Sequence, residues 1–266
     1  MCTRYISPDS AAIERHWHIG RDDAWRGDEL FPRSLGPFIR AARDAAEAER
    51  ELVVGQWGLV PWFAKAPKLA FATVNARFED VTQKPSFKDA WRYGKRCVIP
   101  ALSFDEPNWE SGRNVWWRFR RADGAPWGLA GLWNTWLDKA TGAELESYTM
   151  LTINADDHPL MRRMHKPDPR LAPDRQDKRS VVSIELEDVD RWLHAPAAQA
   201  AHGCGARARL KWCTGTGCAA AAQYDRSFPL RAASSAVAAR GSPREDLPDE
   251  PRPIAFAAGT AQGAIP

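Results

Sequence analysis

A chain of 266 residues with 44% hydrophobic content can build one large domain or two small ones around a proper core. Its formal charge of +3 hints at a polyanionic partner, yet the excess lies from Pro196 onward and residues 1–195 are net neutral; nucleic-acid binding there needs a local patch, not bulk charge. No run approaches the ~18 apolar residues of a membrane span and residues 1–25 lack the apolar stretch of a secretory signal, which points away from membrane and secreted classes and toward a cytoplasmic protein.

The five cysteines, an odd number without framework spacing, fit a reducing compartment better than a disulfide scaffold. Twelve of the thirteen tryptophans precede residue 196, so most are expected to fill a β-rich core, with a few left exposed as platforms for stacking bases.

The chain opens Met1-Cys2-Thr3-Arg4-Tyr5. Asp9 precedes "SAAIERHW" at 10–17, which predicts a capped short helix. Strands are then predicted at "ELVVGQWGLVP" (51–61), "KRCVIPALSF" (95–104), "VWWRFRRA" (115–122), "PWGLAGLW" (126–133) and "ESYTMLTINA" (146–155). Turn signals at "ADGAP" (122–126) and "DKATG" (138–142) suggest hairpins.

Helices are expected at "PSFKDAWRYG" (85–94), with Ser86 and Asp89 at capping-box spacing, and at "EDVDRWLH" (187–194) after the strand "SVVSIEL". The fold class is therefore α+β, a mainly antiparallel sheet or partial barrel with short helices, over residues 1–195. Residues 196–266 are rich in Ala, Arg, Gly and Pro without periodicity, and are expected to be disordered or to reflect a shifted reading frame. His202, Cys204, Cys213 and Cys218 could form a zinc site there, but their spacing matches no usual pair of half-sites, and no metal or cofactor is expected.

Removal of Met1 would leave Cys2 with a free α-amine beside its thiol, a 1,2-aminothiol. Such a pair traps aldehydes. The amine forms an imine, and the thiolate closes it to a five-membered thiazolidine.

"WGLVPWFA" (57–64), "VNARFE" (74–79), "FKDAWRYGKRCVIPALSFDE" (87–106) and "TINADDHPLMRRMHK" (152–166), together with Met1-Cys2-x-Arg4, resemble the motifs of the SOS response-associated peptidase family, the abasic site processing proteins. The resemblance covers residues 1 to about 195. It implies an SOS-response, DNA-damage protein that binds single-stranded DNA and crosslinks its terminal Cys2 to the ring-opened aldehyde of an abasic site. Such a protein would act as a monomer, associated with the nucleoid when bound.

The same resemblance carries site residues onto this chain. Asn75, in Asn75-Ala76-Arg77-x-Glu79, holds the terminal residue; Glu106 shuttles protons, with Asp105 as alternative; His165 protonates the opening sugar, with His158 as alternative. Arg4 and Arg77 take the place of phosphate-binding arginines, and Phe63 with Trp62 that of the base-stacking aromatics.

Three departures stand out. Thr3 replaces a common Gly, and Asp105-Glu106-Pro107 replaces an aromatic-Glu-Trp stretch. His165-Lys166-Pro167-Asp168-Pro169 replaces His-x-Arg-Met-Pro, so an arginine is missing there and Lys166, Arg162 or Arg163 would have to substitute. The segment "LFPRSLGPFIR" (30–40) has no clear counterpart of the family's Asn-x-Ala-Pro. A terminal-Cys (auto)peptidase or hydrolase and a non-covalent single-strand-binding module are the alternative functions.

Overall fold

The computed structural model describes residues 1–19, 24–43, 49–197, 199–200 and the backbone of 220–223. The proposed zinc ligands, and most of the segment from Pro196 on, lie outside these.

The chain begins with β1 (Tyr5–Ser7) and α1 (Ser10–Trp17). Asp9 caps α1 as its sequence position predicts: Oδ1 accepts the Ala12 N–H at 2.7 Å, and His18 ends the helix in a left-handed turn. Then come β2 (Asp28–Leu30), β3 (Leu35–Ala41), β4 (Arg50–Trp57) and β5 (Asn75–Arg77).

The helix α2 (Lys88–Arg92) ends at Gly94, whose φ of +66° a side chain would resist. The expected capping box does not form: Phe87 occupies the cap position without a side-chain bond, and Asp89 instead accepts from Trp62 Nε1.

A strand predicted at 95–104 splits into β6 (Arg96–Ala101) and β7 (Ser103–Asn108), with Leu102 exposed at the break and its N–H given to Ile6 O. There follow β8 (Val115–Arg121), β9 (Trp127–Leu137), β10 (Glu144–Asn154), β11 (Arg179–Val181), β12 (Ser183–Ile184), α3 (Val189–His194) and β13 (Ala220–Gln223).

Two sheets result. In the smaller, β13-β8-β7-β1-β2 lie side by side. In the larger, β10, β4, β3, β6 and β9 pair in succession and β9 pairs back with β10, which closes a five-strand barrel; β5 and β11 add to β10, and β12 to β9. The pairing is antiparallel except for β10 with β4 and β5. The molecule is thus mostly β with a few short helices, as the strand spacing predicts.

"DKATG" does join a hairpin, β9 to β10. "ADGAP" does not: β8 pairs with β7 and β13, while β9 belongs to the other sheet, so this turn carries the chain between sheets.

Strand alternation sorts the core into two. Phe38, Cys97, Ile99, Leu129, Tyr148 and Met150 pack with Tyr5, Phe104 and Phe119 of the smaller sheet, and Cys2 is buried among them. Their neighbours Ile39, Val98, Ala130, Leu132 and Leu151 pack with Ile13 and Trp17 of α1, Trp91 of α2 and Trp192 of α3. Of the twelve tryptophans before residue 196, only Trp62 is exposed.

Candidate functional site

Cys2 is fully buried where the amino end enters β1, and its Sγ donates to the Arg4 carbonyl at 3.4 Å. Asn75 opens β5, which lies parallel to β10 with Asn75 opposite Met150. From this fixed backbone Asn75 Nδ2 donates to the Cys2 carbonyl at 2.7 Å, while its Oδ1 is buried without a hydrogen-bond partner. Burial, and next the nearby Glu106 charge, push the Cys2 thiol far above its ordinary pKa, so the sulfur is held as a neutral thiol.

Asp105 and Glu106 are neighbours on β7 and point to opposite faces of the strand. Asp105 stands opposite Arg118 of β8 and takes its guanidinium through both oxygens, at 2.8 and 2.9 Å; Arg4 Nε adds a contact at 3.2 Å. It is bound as part of a buried ion network. Glu106, almost wholly buried, instead meets His165 Nε2 at 2.8 Å and the Met1 amino group at 3.5 Å through Oε2. The two adjacent carboxylates are thereby separated in role.

His165 takes a left-handed conformation, φ 64°, that few non-glycine residues adopt. Hydrogen bonds hold its backbone on both sides: its N–H donates to Pro107 O at 2.6 Å and its carbonyl accepts from Lys178 Nζ at 2.7 Å. The Pro107 carbonyl thus ties His165 to the strand that carries Glu106. His158 is elsewhere engaged, its Nδ1 accepting the Leu160 and Met161 N–H groups at 3.1 and 3.0 Å in the turn before the short 3-10 helix Met161–Arg163.

The structure therefore brings Cys2, Asn75, Glu106 and His165 together at the amino end. The expected DNA-contacting residues are more dispersed in character. Arg4 is mostly buried and engaged by Glu29 as well as Asp105. Arg77 is half exposed, with a guanidinium nitrogen 2.5 Å from Asp177 Oδ2. Both arginines meet carboxylates, which a phosphate would have to displace or share.

Trp62 and Phe63 are exposed on the loop after β4, their rings edge-to-face with centroids 5.8 Å apart. Among the candidates to replace the missing arginine, Arg163 is forked onto Glu110, at 2.8 Å in both contacts, while Lys166 Nζ lies 5.3 Å from the Trp109 ring. Arg162 and Lys166 are exposed and meet no carboxylate among the described residues.

Sequence reasoning missed Glu29, Arg118 and Lys178. Each acts through strand register or through a distant loop return, which no local motif encodes. Among the described residues no group of three or more His, Cys, Asp or Glu side chains is placed to hold a metal ion, and no helix is long and apolar enough to cross a membrane.

Comparison with known proteins adds to this geometry. The model of the SOS response associated peptidase family matches residues 1–212. The abasic site processing protein YoaM of Bacillus subtilis is 33% identical over 111 residues, 41% of this chain and 47% of the relative. The abasic site processing protein HMCES of Xenopus tropicalis is 27% identical over 165 residues, 53% of this chain and 49% of the relative. The chain spans about half the length of the curated relatives it matches. A crystal structure of a Bordetella bronchiseptica protein superposes with a TM-score of 0.65 at 38% identity, covering 75% of this chain and 91% of the other. A Bacteroides thetaiotaomicron structure, at 21% identity and a TM-score of 0.59 over 76% of this chain and 86% of that one, shares the fold.

Proposed function

The chain belongs to the SOS response associated peptidase family, and from that premise we propose that it captures abasic sites in single-stranded DNA as a thiazolidine on Cys2. One observation carries the reading. Glu106 Oε2 contacts both the amino group at the chain's end and His165 Nε2.

Once Met1 is removed, the amino group at that end is the one on Cys2. Asn75 anchors the Cys2 carbonyl, which restricts where the new amine can lie. The amine adds to the C1′ aldehyde of the ring-opened sugar; Glu106 accepts a proton from the nitrogen and returns one to the departing hydroxyl, so that one water leaves and an imine remains. His165 protonates the sugar ring oxygen as the ring opens. Sulfur then adds to the imine carbon, the thiol proton passing by way of a neighbouring base to the imine nitrogen, and the five-membered ring closes with no further loss of atoms.

Burial of the thiol suits an order in which the amine adds first. A buried neutral thiol does not compete with the amine for the aldehyde, and it becomes easier to ionise only when the iminium brings a positive charge beside it. Arg4, Arg77 and the exposed pair Trp62 and Phe63 would bind the flanking strand.

A second reading is favoured by the same contact: with Met1 present, its amino group sits on Glu106, which suits self-removal of Met1 by Cys2 acting as a terminal-Cys peptidase. Incubation with a single-stranded oligonucleotide bearing one abasic site, followed by denaturing electrophoresis, tests the main reading. A shifted band absent from Cys2→Ala supports it; peptide cleavage without any band favours the peptidase, and DNA retention only under native conditions favours a non-covalent module.

A further inference from the structure

Three exposed rings surround a groove beside helix α2, and Lys84, Lys88 and Arg92 lie in and next to that helix. Trp62, Phe63, Pro85, Lys88, Asp89 and Tyr93 line an open groove between the loop after β4 and helix α2. Tyr93 is the most exposed large apolar residue among them, 69% accessible, with Trp62 at 66% and Phe63 at 43%. Isolated exposed rings are ordinary; three around one groove are not.

The groove is built, not loose. Trp62 Nε1 donates to Asp89 Oδ2 at 2.6 Å, which fixes the indole against α2 and engages the carboxylate that lines the groove. Phe63 then sets its edge against the indole.

Asp89 is the one acid of α2, and the Trp62 indole engages it; the other charges of the helix are basic. A turn joins Lys84 to the start of α2, the Lys88 N–H donating to Lys84 O at 2.9 Å. Lys88 and Arg92 are therefore four apart on one face of α2, and Lys84 lies in the turn that leads into it. All three are exposed, and none meets a carboxylate among the described residues, unlike Arg4, Arg77 and Arg163. Arg92 lies beside Tyr93, its Cζ 5.8 Å from the ring centroid.

We infer that this groove is a further segment of the single-strand path, in which Tyr93 stacks a base and Lys84, Lys88 and Arg92 bind successive phosphates. The inference rests on the single-strand reading above and extends it to residues that reading does not use. Exposed cations without an ion pair among the described residues argue for a polyanion over a protein with an apolar face, and exposed rings argue for unpaired bases over duplex.

The test uses the full chain and labelled oligonucleotides without any abasic site, so that chemistry plays no part. Binding is followed by fluorescence anisotropy across a salt series. Replacing Lys84, Lys88 and Arg92 together by Gln should weaken single-strand affinity about 10-fold or more and flatten the plot of log affinity against log salt by about 2, at roughly 0.7 per lost phosphate contact. Tyr93→Ala should weaken single-strand binding at least about 5-fold, the equivalent of one stacked base, while leaving duplex affinity unchanged.

Wild-type protein that retains single strand, with both variants unchanged in affinity and salt slope, overturns the groove and leaves the single-strand reading standing. An equal effect of Tyr93→Ala on single strand and duplex also overturns it, because stacking would not be the cause. Wild-type protein that fails to retain single strand overturns both. All four substitutions lie on exposed positions, and thermal unfolding confirms that each variant is folded.

Discussion

Glu106 Oε2 lies 2.8 Å from His165 Nε2, and the left-handed backbone of His165, tied to the Pro107 carbonyl, keeps the pair in contact. The same carboxylate faces the amino end of the chain. A buried acid that touches both the amine and an imidazole can relay protons between them, which is the requirement for making an imine in neutral water. Glu106→Gln keeps the shape and removes the relay. Crosslinking to an abasic oligonucleotide, measured at saturating DNA, should slow by about 100-fold or more, in the range that general acid–base groups contribute. A rate within about threefold of wild type would remove Glu106 from the mechanism.

Asp105 should behave differently although it is the adjacent residue. Its two oxygens neutralise Arg118 in the smaller sheet, and Arg4 leans on the same carboxylate. Asp105→Asn removes the negative charge that Arg118 and Arg4 share and leaves Glu29, 3.7 Å from Arg118, as the remaining carboxylate; breaking a buried pair in this way costs about 3–5 kcal/mol in other proteins. Thermal or denaturant unfolding should show a large loss of stability; an unchanged midpoint would mean that the network is not structural.

The Cys2 thiol should be slow to alkylate. Burial and the Glu106 charge raise its pKa in the folded chain, so at any pH near 8 it holds less thiolate than a free cysteine of pKa ~8.5. Iodoacetamide labelling at pH 8, read by peptide mass analysis, should be far slower for Cys2 in native than in denatured protein. The sign also applies to stability: the raised folded value favours the folded state fully below the unfolded pKa, and that contribution is lost as pH rises beyond it. Labelling as fast as in free cysteine would show an accessible thiolate.

Tyr5 and Tyr148 share a hydrogen bond of 2.5 Å between their hydroxyls in the core that also holds Cys2. Gly36 packs against both hydroxyls so closely that a Cβ there would collide with Tyr148 Oη. Tyr5→Phe or Tyr148→Phe alone leaves a buried hydroxyl unpartnered and should cost about 1–3 kcal/mol, whereas the double replacement should cost less than the sum. Additive losses in denaturant unfolding would show that the two hydroxyls do not act as a pair.

Strand alternation made most of this fold legible from residues alone. The β-branched and aromatic runs at 51–61, 115–122, 126–133 and 146–155 all contain strands. What escaped was set by distant partners. β3 carries Pro37 within its run and β5 is three residues long, so neither has a strong local signal. Ser86 and Asp89 had the spacing of a capping box, but Asp89 is drawn to Trp62 across the groove. At the site, the motifs singled out Asn75, Glu106 and His165, and they do converge on Cys2 and the amino end. The resemblance favoured Glu106 over Asp105, and only the fold shows what Asp105 meets, the β7–β8 register setting it opposite Arg118. For Arg4 the resemblance implied a phosphate contact, and the fold adds Glu29 beside it.

The proposal that the terminal aminothiol of Cys2 captures the aldehyde is tested most directly by intact mass analysis of the covalent product formed with an abasic oligonucleotide. A single adduct is predicted, equal to the chain without Met1 plus the oligonucleotide less one water, its link placed on Cys2 by peptide mapping. An adduct that still carries Met1, or one linked through a lysine side chain, would contradict it.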